Sequence, residues 1–389
     1  MGASIIGWGH TAFGRLAGTT VESLIVDVVR EAVAHAGIEY LEIDEIFLGH
    51  FNAGFSAQDF TAALVLQASP ALRFKPATRT ENACASGSAA LHQGLRAIES
   101  GRARVCLVVG VEKMTDAAGA AAAQNLLRAS YLPETGALQS GFTGVFARIA
   151  EAYFARCGDQ SDALALIAAK NHANGMHNPF AHVRKDLGYE FCRQVSDKNP
   201  LVAGPLRRTD CSPVSDGAAA VVLADDDVAV TAQRAVGFRA ATHVQDFLPQ
   251  VHRDSTRLEG CTEAWERALK VAGVTLADLS FVETHDCFTI AELMEYEAMG
   301  LVPAGEGARV IREGWTQLGG RLPVNPSGGL KAKGHPVGAT GVSMHVVSAM
   351  QLCNEAATRS QVADPKLGGV YNMGGAAVAN YVSILERRR

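Results

Sequence analysis

Gly217-Ala218-Ala219-Ala220-Val221-Val222-Leu223 and Gly375-Ala376-Ala377-Val378-Ala379-Asn380-Tyr381-Val382 are two versions of one pattern, and each closes one half of the 389-residue chain. A glycine followed by an unbroken run of small and β-branched residues reads as a strand buried on both faces. Working outward, apolar runs at 4–7, 43–48, 105–111, 218–224, 235–241, 279–283, 369–372 and 378–385 alternate with helical periodicities, which predicts an α/β architecture with a largely buried sheet. One helix follows Cys84, with Ser88, Leu91, Leu95 and Ile98 on a face and Gly101 where it would end; another follows Gly338, with Val342, Val346, Ala349 and Cys353 on a face. The repeat predicts a duplicated unit, with halves at 1–234 and 235–389. A segment at about 114–212 fits neither half and reads as an insertion in the first.

Composition narrows the function classes. The net charge is -5 with 48% hydrophobic residues, which argues against nucleic acid as a partner. No apolar run is long enough to span a bilayer, and the first residues lack a secretory pattern, so no membrane association and a cytoplasmic location are expected. Eight scattered cysteines make neither a disulfide framework nor a Cys-x-x-Cys pair, and no metal is expected. From Lys170 to Arg208, seven Lys or Arg face three acids. Such a balance would suit a phosphate-bearing ligand, although composition alone favours a solvated surface.

Chemistry concentrates at Asn82-Ala83-Cys84-Ala85-Ser86-Gly87, His285-Asp286-Cys287-Phe288, Gly334-His335-Pro336 and Asn372-Met373-Gly374-Gly375. A thiol attacks only as thiolate, and a helix start or a nearby imidazole lowers its pKa from about 8.5. Cys84 is placed at a helix start among small residues, where backbone N–H groups can approach, and the histidines supply candidate imidazoles. The six cysteines other than Cys84 and Cys287 read as small core hydrophobes. Thr289 and Glu292 mark a helix start just after Cys287.

These blocks, together with Lys170-Asn171-His172, Cys211-Ser212-Pro213-Val214-Ser215-Asp216-Gly217 and Asn325-Pro326-Ser327-Gly328-Gly329, resemble the thiolase superfamily over the whole chain. The His-Asp-Cys-Phe motif is similar to the sterol-carrier-protein-type branch, where most other thiolases have Asn-Glu-Ala-Phe. The resemblance implies a five-layered α-β-α-β-α thiolase fold of two similar halves with an inserted loop domain. It implies Cys84 as the nucleophile that accepts an acyl group, His335 as its activator, His285 as an oxyanion-hole donor and Gly374 as a backbone donor to a second oxyanion hole. Where most thiolases carry a second catalytic cysteine, this sequence has Asn372, which leaves Cys287 as the acid/base candidate.

The implied activity is CoA-dependent acyl transfer through a cysteine acyl-enzyme, cleaving 3-oxoacyl-CoA or condensing acetyl-CoA. Coenzyme A and acyl-CoA are then substrates, no cofactor is bound permanently, and the basic insertion is a candidate contact for CoA phosphates. A homodimer or dimer of dimers is implied as well. Two alternatives stay open at this point: a decarboxylative ketosynthase-like condensing enzyme, which would have no use for Cys287 as base, and a thiolase-like subunit working with a small acyl-CoA-binding partner.

Overall fold

The computed structural model describes residues 2–136 and 138–389. Its strands are β1 (Ala3–His10), β2 (Glu45–Gly49), β3 (Ala77–Thr80), β4 (Val105–Glu112), β5 (Leu201–Ala203), β6 (Leu206–Arg207), β7 (Gly217–Asp225), β8 (Val236–Gln245), β9 (Phe281–Glu283), β10 (Leu367–Gly374) and β11 (Ala379–Arg387). Nine of them run in the order β3-β2-β4-β7-β1-β8-β11-β10-β9, while β5 and β6 form a separate hairpin.

The order contains the same unit twice. In the first half β1 pairs antiparallel with β7, β7 antiparallel with β4, and β4 parallel with β2. In the second half β8, β11, β10 and β9 repeat those senses. The two edges meet where β1 pairs with β8 at Ser4↔Gly237 and Ile5↔Val236. Every strand expected from the sequence is present. β3 escaped notice because Ala77-Thr78-Arg79-Thr80 has no apolar run and lies at a half-exposed sheet edge.

Helix Val21–Ala36 covers the outer face of the first half and helix Glu259–Ala272 that of the second. Between the two half-sheets lie helices Ser86–Glu99 and Val337–Leu352, which completes five layers. The second of these is buried on nearly every side, not on the single face its periodicity suggested, and Cys353 falls just beyond its end. Segment 114–212 forms five helices and the β5–β6 hairpin; its helix Ser161–Gly175 packs on helices Thr289–Ala298 and Gly329–Lys333.

The two middle helices touch backbone to backbone. A Cβ placed on Gly87 would lie 2.8 Å from both the Gly338 oxygen and the Val342 nitrogen, and one on Gly341 only 2.3 Å from the Ser88 nitrogen. No side chain fits there, so glycine at both positions is what permits the approach. Replacing Gly87 with alanine should therefore lower stability by about 1–3 kcal/mol through overpacking. Thermal unfolding would measure it, and acyl transfer should fall further than the stability loss alone explains, because both helices carry site residues at their N-termini.

Candidate active site

Cys84 sits in a tight turn entering helix Ser86–Glu99. Ala83 adopts left-handed backbone (φ 50°), and the Ser86 hydroxyl braces the turn by donating to Ala83 O (2.7 Å) and accepting from Asn82 N–H (2.9 Å). The thiol is buried, and the Gly375 and Cys84 amides reach it. Burial nevertheless dominates, with the Glu112 charge adding, and pushes the thiol up to about 12 despite the Gly375 amide. A thiolate lowered by a helix start, as the sequence suggested, is thus not the resting form: the helix begins two residues after Cys84, and desolvation outweighs its field.

His335 enters from the second middle helix, after Gly334 at φ 111°. Its Nδ1 lies 2.8 Å from Thr340 Oγ1, and the Thr340 hydroxyl donates to Pro336 O (2.9 Å). With that hydrogen committed, the oxygen accepts from His335 Nδ1–H, which leaves the Nε2 lone pair free on the cavity side. Nε2 has no hydrogen-bond partner among the described residues. Burial, helped by the Lys333 charge, lowers this histidine to about 3. His285 stands edge-on to it, ring centres 5.0 Å apart, and burial holds it neutral as well. The Cys84 sulfur and one ring nitrogen from each histidine all lie within 4.8 Å of one another.

The His285-Asp286-Cys287 loop is held by a buried lattice. Asp286 accepts from Leu330 N–H (2.6 Å), Lys331 N–H (3.1 Å) and Asn171 Nδ2 (2.7 Å). Glu292 accepts from Asn171 Nδ2 (2.6 Å) and Asn325 Nδ2 (2.9 Å) and pairs with Lys170 at 2.8 Å. The helix does begin at Thr289, but not by a capping box: the Thr289 hydroxyl donates to Asp210 (2.8 Å), and Glu292 belongs to the lattice. Cys287 itself is buried, its thiol held well above its ordinary value by burial first, then by Cys84, Glu295 and Asp286.

Cys84, Cys287 and His335 open into one cavity of about 560 Å³, the size of a small-ligand site. Its walls include Met114, the Gly119, Ala122 and Ala123 face of helix Gly119–Leu127, Phe142, and Phe288, which stacks on Phe146 at 4.5 Å. Gly374 is not at the wall. It lets β10 pass Asn82, whose carbonyl would be 2.2 Å from an added Cβ, and the amide that reaches the thiol belongs to its neighbour Gly375. The basic stretch is also absent from the lining. Lys170 and Arg207 are locked in buried pairs with Glu292 and Asp210, Arg193 pairs with Asp162, and Arg184, Lys185, Lys198 and Arg208 are exposed elsewhere. The cation in the lining is Arg15.

Residues 3–187 match the family model described as thiolase, N-terminal domain, and residues 241–387 the one described as thiolase C-terminal domain-like. The chain belongs to the thiolase family. It is 36% identical to an acetyl-CoA acetyltransferase of Methanothermobacter thermautotrophicus over 99% of each chain. It is 30% identical to sterol carrier protein 2 of Oryctolagus cuniculus over 96% of this chain and 70% of that protein, which agrees with the branch its His-Asp-Cys-Phe motif indicated. Among solved structures, a chain of an Ltp2-ChsH2(DUF35) aldolase superposes with a TM-score of 0.83 at 21% identity, covering 100% of this chain and 98% of that one, a likeness of fold. This thiolase is accordingly an enzyme, an acyltransferase.

The supporting lattice was hardly visible beforehand. Lys170, Asn171 and Glu292 gain meaning only when three distant segments meet, although a lysine beside an asparagine in an apolar helical stretch is itself a sign of burial. The neutral resting pair has a measurable signature. Alkylation of Cys84 by iodoacetamide in the ligand-free thiolase should be slow at neutral pH and rise about tenfold per pH unit between pH 7 and 9, because the raised thiol pKa leaves little thiolate below it. A fast, pH-independent reaction at pH 6–7 would instead reveal a thiolate–imidazolium pair.

Proposed function

We propose that Cys84 carries the acyl group and Cys287 moves the Cα proton in a reversible Claisen reaction on CoA thioesters. The observation that carries this reading is the shared cavity: Cys84, Cys287 and His335 all line it, and His335 Nε2 is left without a partner among the described residues. His335 takes the Cys84 proton as sulfur attacks the thioester carbonyl, and CoA leaves as the thiol with the proton of Cys287, whose sulfur becomes the thiolate. The Cys84 and Gly375 amides, with Gly374 alongside, stabilise the oxyanion. In condensation the Cys287 thiolate removes a proton from a second acetyl-CoA, whose thioester oxygen is held by Nε2–H of His285 and of the protonated His335; the carbanion displaces the Cys84 thiolate from the acyl group, Cys84 recovers its proton from His335, and thiolysis runs the same steps backward. A decarboxylating enzyme needs no such base, so the position of Cys287 favours the thiolase chemistry.

Acetyl-CoA and 3-oxoacyl-CoA are the proposed substrates, supported by the acetyl-CoA acetyltransferases among its relatives. The thiolytic direction would place the enzyme in lipid breakdown such as fatty acid β-oxidation. Arg15, at the cavity, is the proposed contact for a CoA phosphate. A homodimer or dimer of dimers is supported by the unpaired edge of β3 and by Phe60 and Phe74, 80% and 84% exposed in the segment before it. A small acyl-CoA-binding partner is supported by the fold neighbour, an aldolase of two named components, Ltp2 and ChsH2(DUF35). A cytoplasmic setting fits the observation that no described helix is long and apolar enough to cross a membrane.

Two experiments test the reading. Cys287→Ser should still form acetyl-enzyme on Cys84, seen by mass spectrometry, but lose thiolysis, condensation and exchange of acetyl-CoA methyl protons with deuterated water; full thiolysis in this variant would place the base elsewhere. Light scattering on the purified protein should return two or four chains per particle, and a single-chain mass would overturn the oligomer proposal.

A further inference from the structure

Asn372, fully buried on β10, stands where most thiolases carry a cysteine, and its hydrogen bonds show what it does instead. Its Oδ1 accepts from the Ser88 hydroxyl at 2.8 Å. Its Nδ2 lies 3.3 Å from the Cys84 carbonyl oxygen and 2.8 Å from His285 Nδ1. Turning the amide over would set its oxygen against the Cys84 carbonyl, acceptor against acceptor, so the Cys84 carbonyl fixes which end is which. An amide NH2 only donates. His285 Nδ1 must therefore be the bare nitrogen, and the single hydrogen of the neutral ring sits on Nε2.

That Nε2–H is buried and has no partner among the described residues. A ring nitrogen of His285 lies within 4.8 Å of the Cys84 sulfur and of a His335 nitrogen, so the ring that carries this hydrogen belongs to the cluster. An unpaired buried donor is costly until an acceptor arrives; His285 is not itself among the residues lining the cavity, but it adjoins Cys84 and His335, which are, so an oxygen of a substrate drawn in to the Cys84 sulfur is the acceptor it would meet. We propose that Asn372 is a positioning residue which fixes the tautomer of His285 and so presents Nε2–H as a hydrogen-bond donor to the substrate's thioester oxygen. Thr340 imposes the opposite tautomer on His335. Two imidazoles 5.0 Å apart thus take complementary roles, one as donor and one as acceptor, because one leans on an amide and the other on a hydroxyl. The same assignment leaves the cluster short of the third lone pair that a metal ion would need.

The functional part of this inference rests on the thiolase reading above, whereas the tautomer does not, and the test separates them. In wild-type full-length protein labelled with 15N-histidine, long-range proton–nitrogen spectra should show His285 with bare Nδ1 and protonated Nε2, the signals being identified by their loss in His285→Asn. A protonated Nδ1 would overturn the proposal with no variant needed.

Asn372→Asp supplies the functional half. A carboxylate accepts from Nδ1–H, so the neutral ring would lose its Nε2 hydrogen, and acetyl-enzyme formation should fall about 10²- to 10³-fold at high pH, the usual effect of losing one such donor. As pH falls the ring paired with Asp becomes doubly protonated and regains Nε2–H, so the variant-to-wild-type rate ratio should rise toward acid, a limb the wild type lacks. The groups facing His285 are His335 from the second middle helix, Cys84 from the first, Cys287 and Asp286 on its own loop, Glu295 from helix Thr289–Ala298, and Asn372 from β10. None of them changes except Asn372, so the ratio isolates it. In a His285→Asn background the Asp substitution should do little. A pH-independent ratio, or equal losses in both backgrounds, would reduce Asn372 to a packing residue. If wild-type protein forms no acetyl-enzyme while the spectra show Nε2–H, the thiolase reading fails, and the positioning role with it, though the tautomer stands.

Discussion

The rest of the structure depends on the contact between Gly87 on one middle helix and Gly338 and Gly341 on the other. Because both helices begin at this crossing, their first residues, with Cys84 on one side and His335 on the other, come together from opposite halves of the chain. Glu112 ties the crossing further. Its carboxylate accepts from Gly338 N–H (3.0 Å), Phe51 N–H (3.1 Å) and Asn52 N–H (2.9 Å), so one side chain of β4 anchors the second half's helix to the loop after β2 of the first. The duplicated unit supplies symmetry, and the glycines convert it into a site that needs both copies.

At the crossing the electrostatics is one of suppressed charge. Burial holds the thiol protonated and both imidazoles neutral, which avoids forming an ion pair between buried groups whose desolvation would exceed the attraction. The nucleophile is then generated only as a thioester carbonyl arrives to receive it. The formal charges nearby, Lys170 with Glu292 and Lys333 with Ser343 and Glu283, stand behind the loops and shape them.

Much of this was legible from residue order. The strands announced themselves because a doubly covered sheet demands uninterrupted apolar runs, and the Gly217 and Gly375 segments gave away the duplication. The Gly-His-Pro and His-Asp-Cys-Phe fragments pointed to the chemistry, and the cavity holds Cys84, Cys287 and His335. What could not be read was whatever depends on neighbours. The pKa direction of Cys84 follows from the packing around it, and the fate of Lys170 from Glu292, far away in sequence. The amide of Gly375, next to the expected Gly374, reaches the Cys84 thiol, a contact set by the turn after β10. The polar edge strand β3 carried no periodicity to detect.

The cavity draws its chemistry and its walls from different parts of the chain. Cys84, His335 and Cys287 are bound to the duplicated unit and its crossing, whereas Gly119, Ala122, Ala123, Leu126 and Phe142 come from the inserted segment. Enlarging Ala122 or Ala123 would shorten the space left for an acyl chain without disturbing the crossing. Over evolutionary time, acyl preference can therefore drift through a few methyl groups on one short helix while the reaction stays as it is.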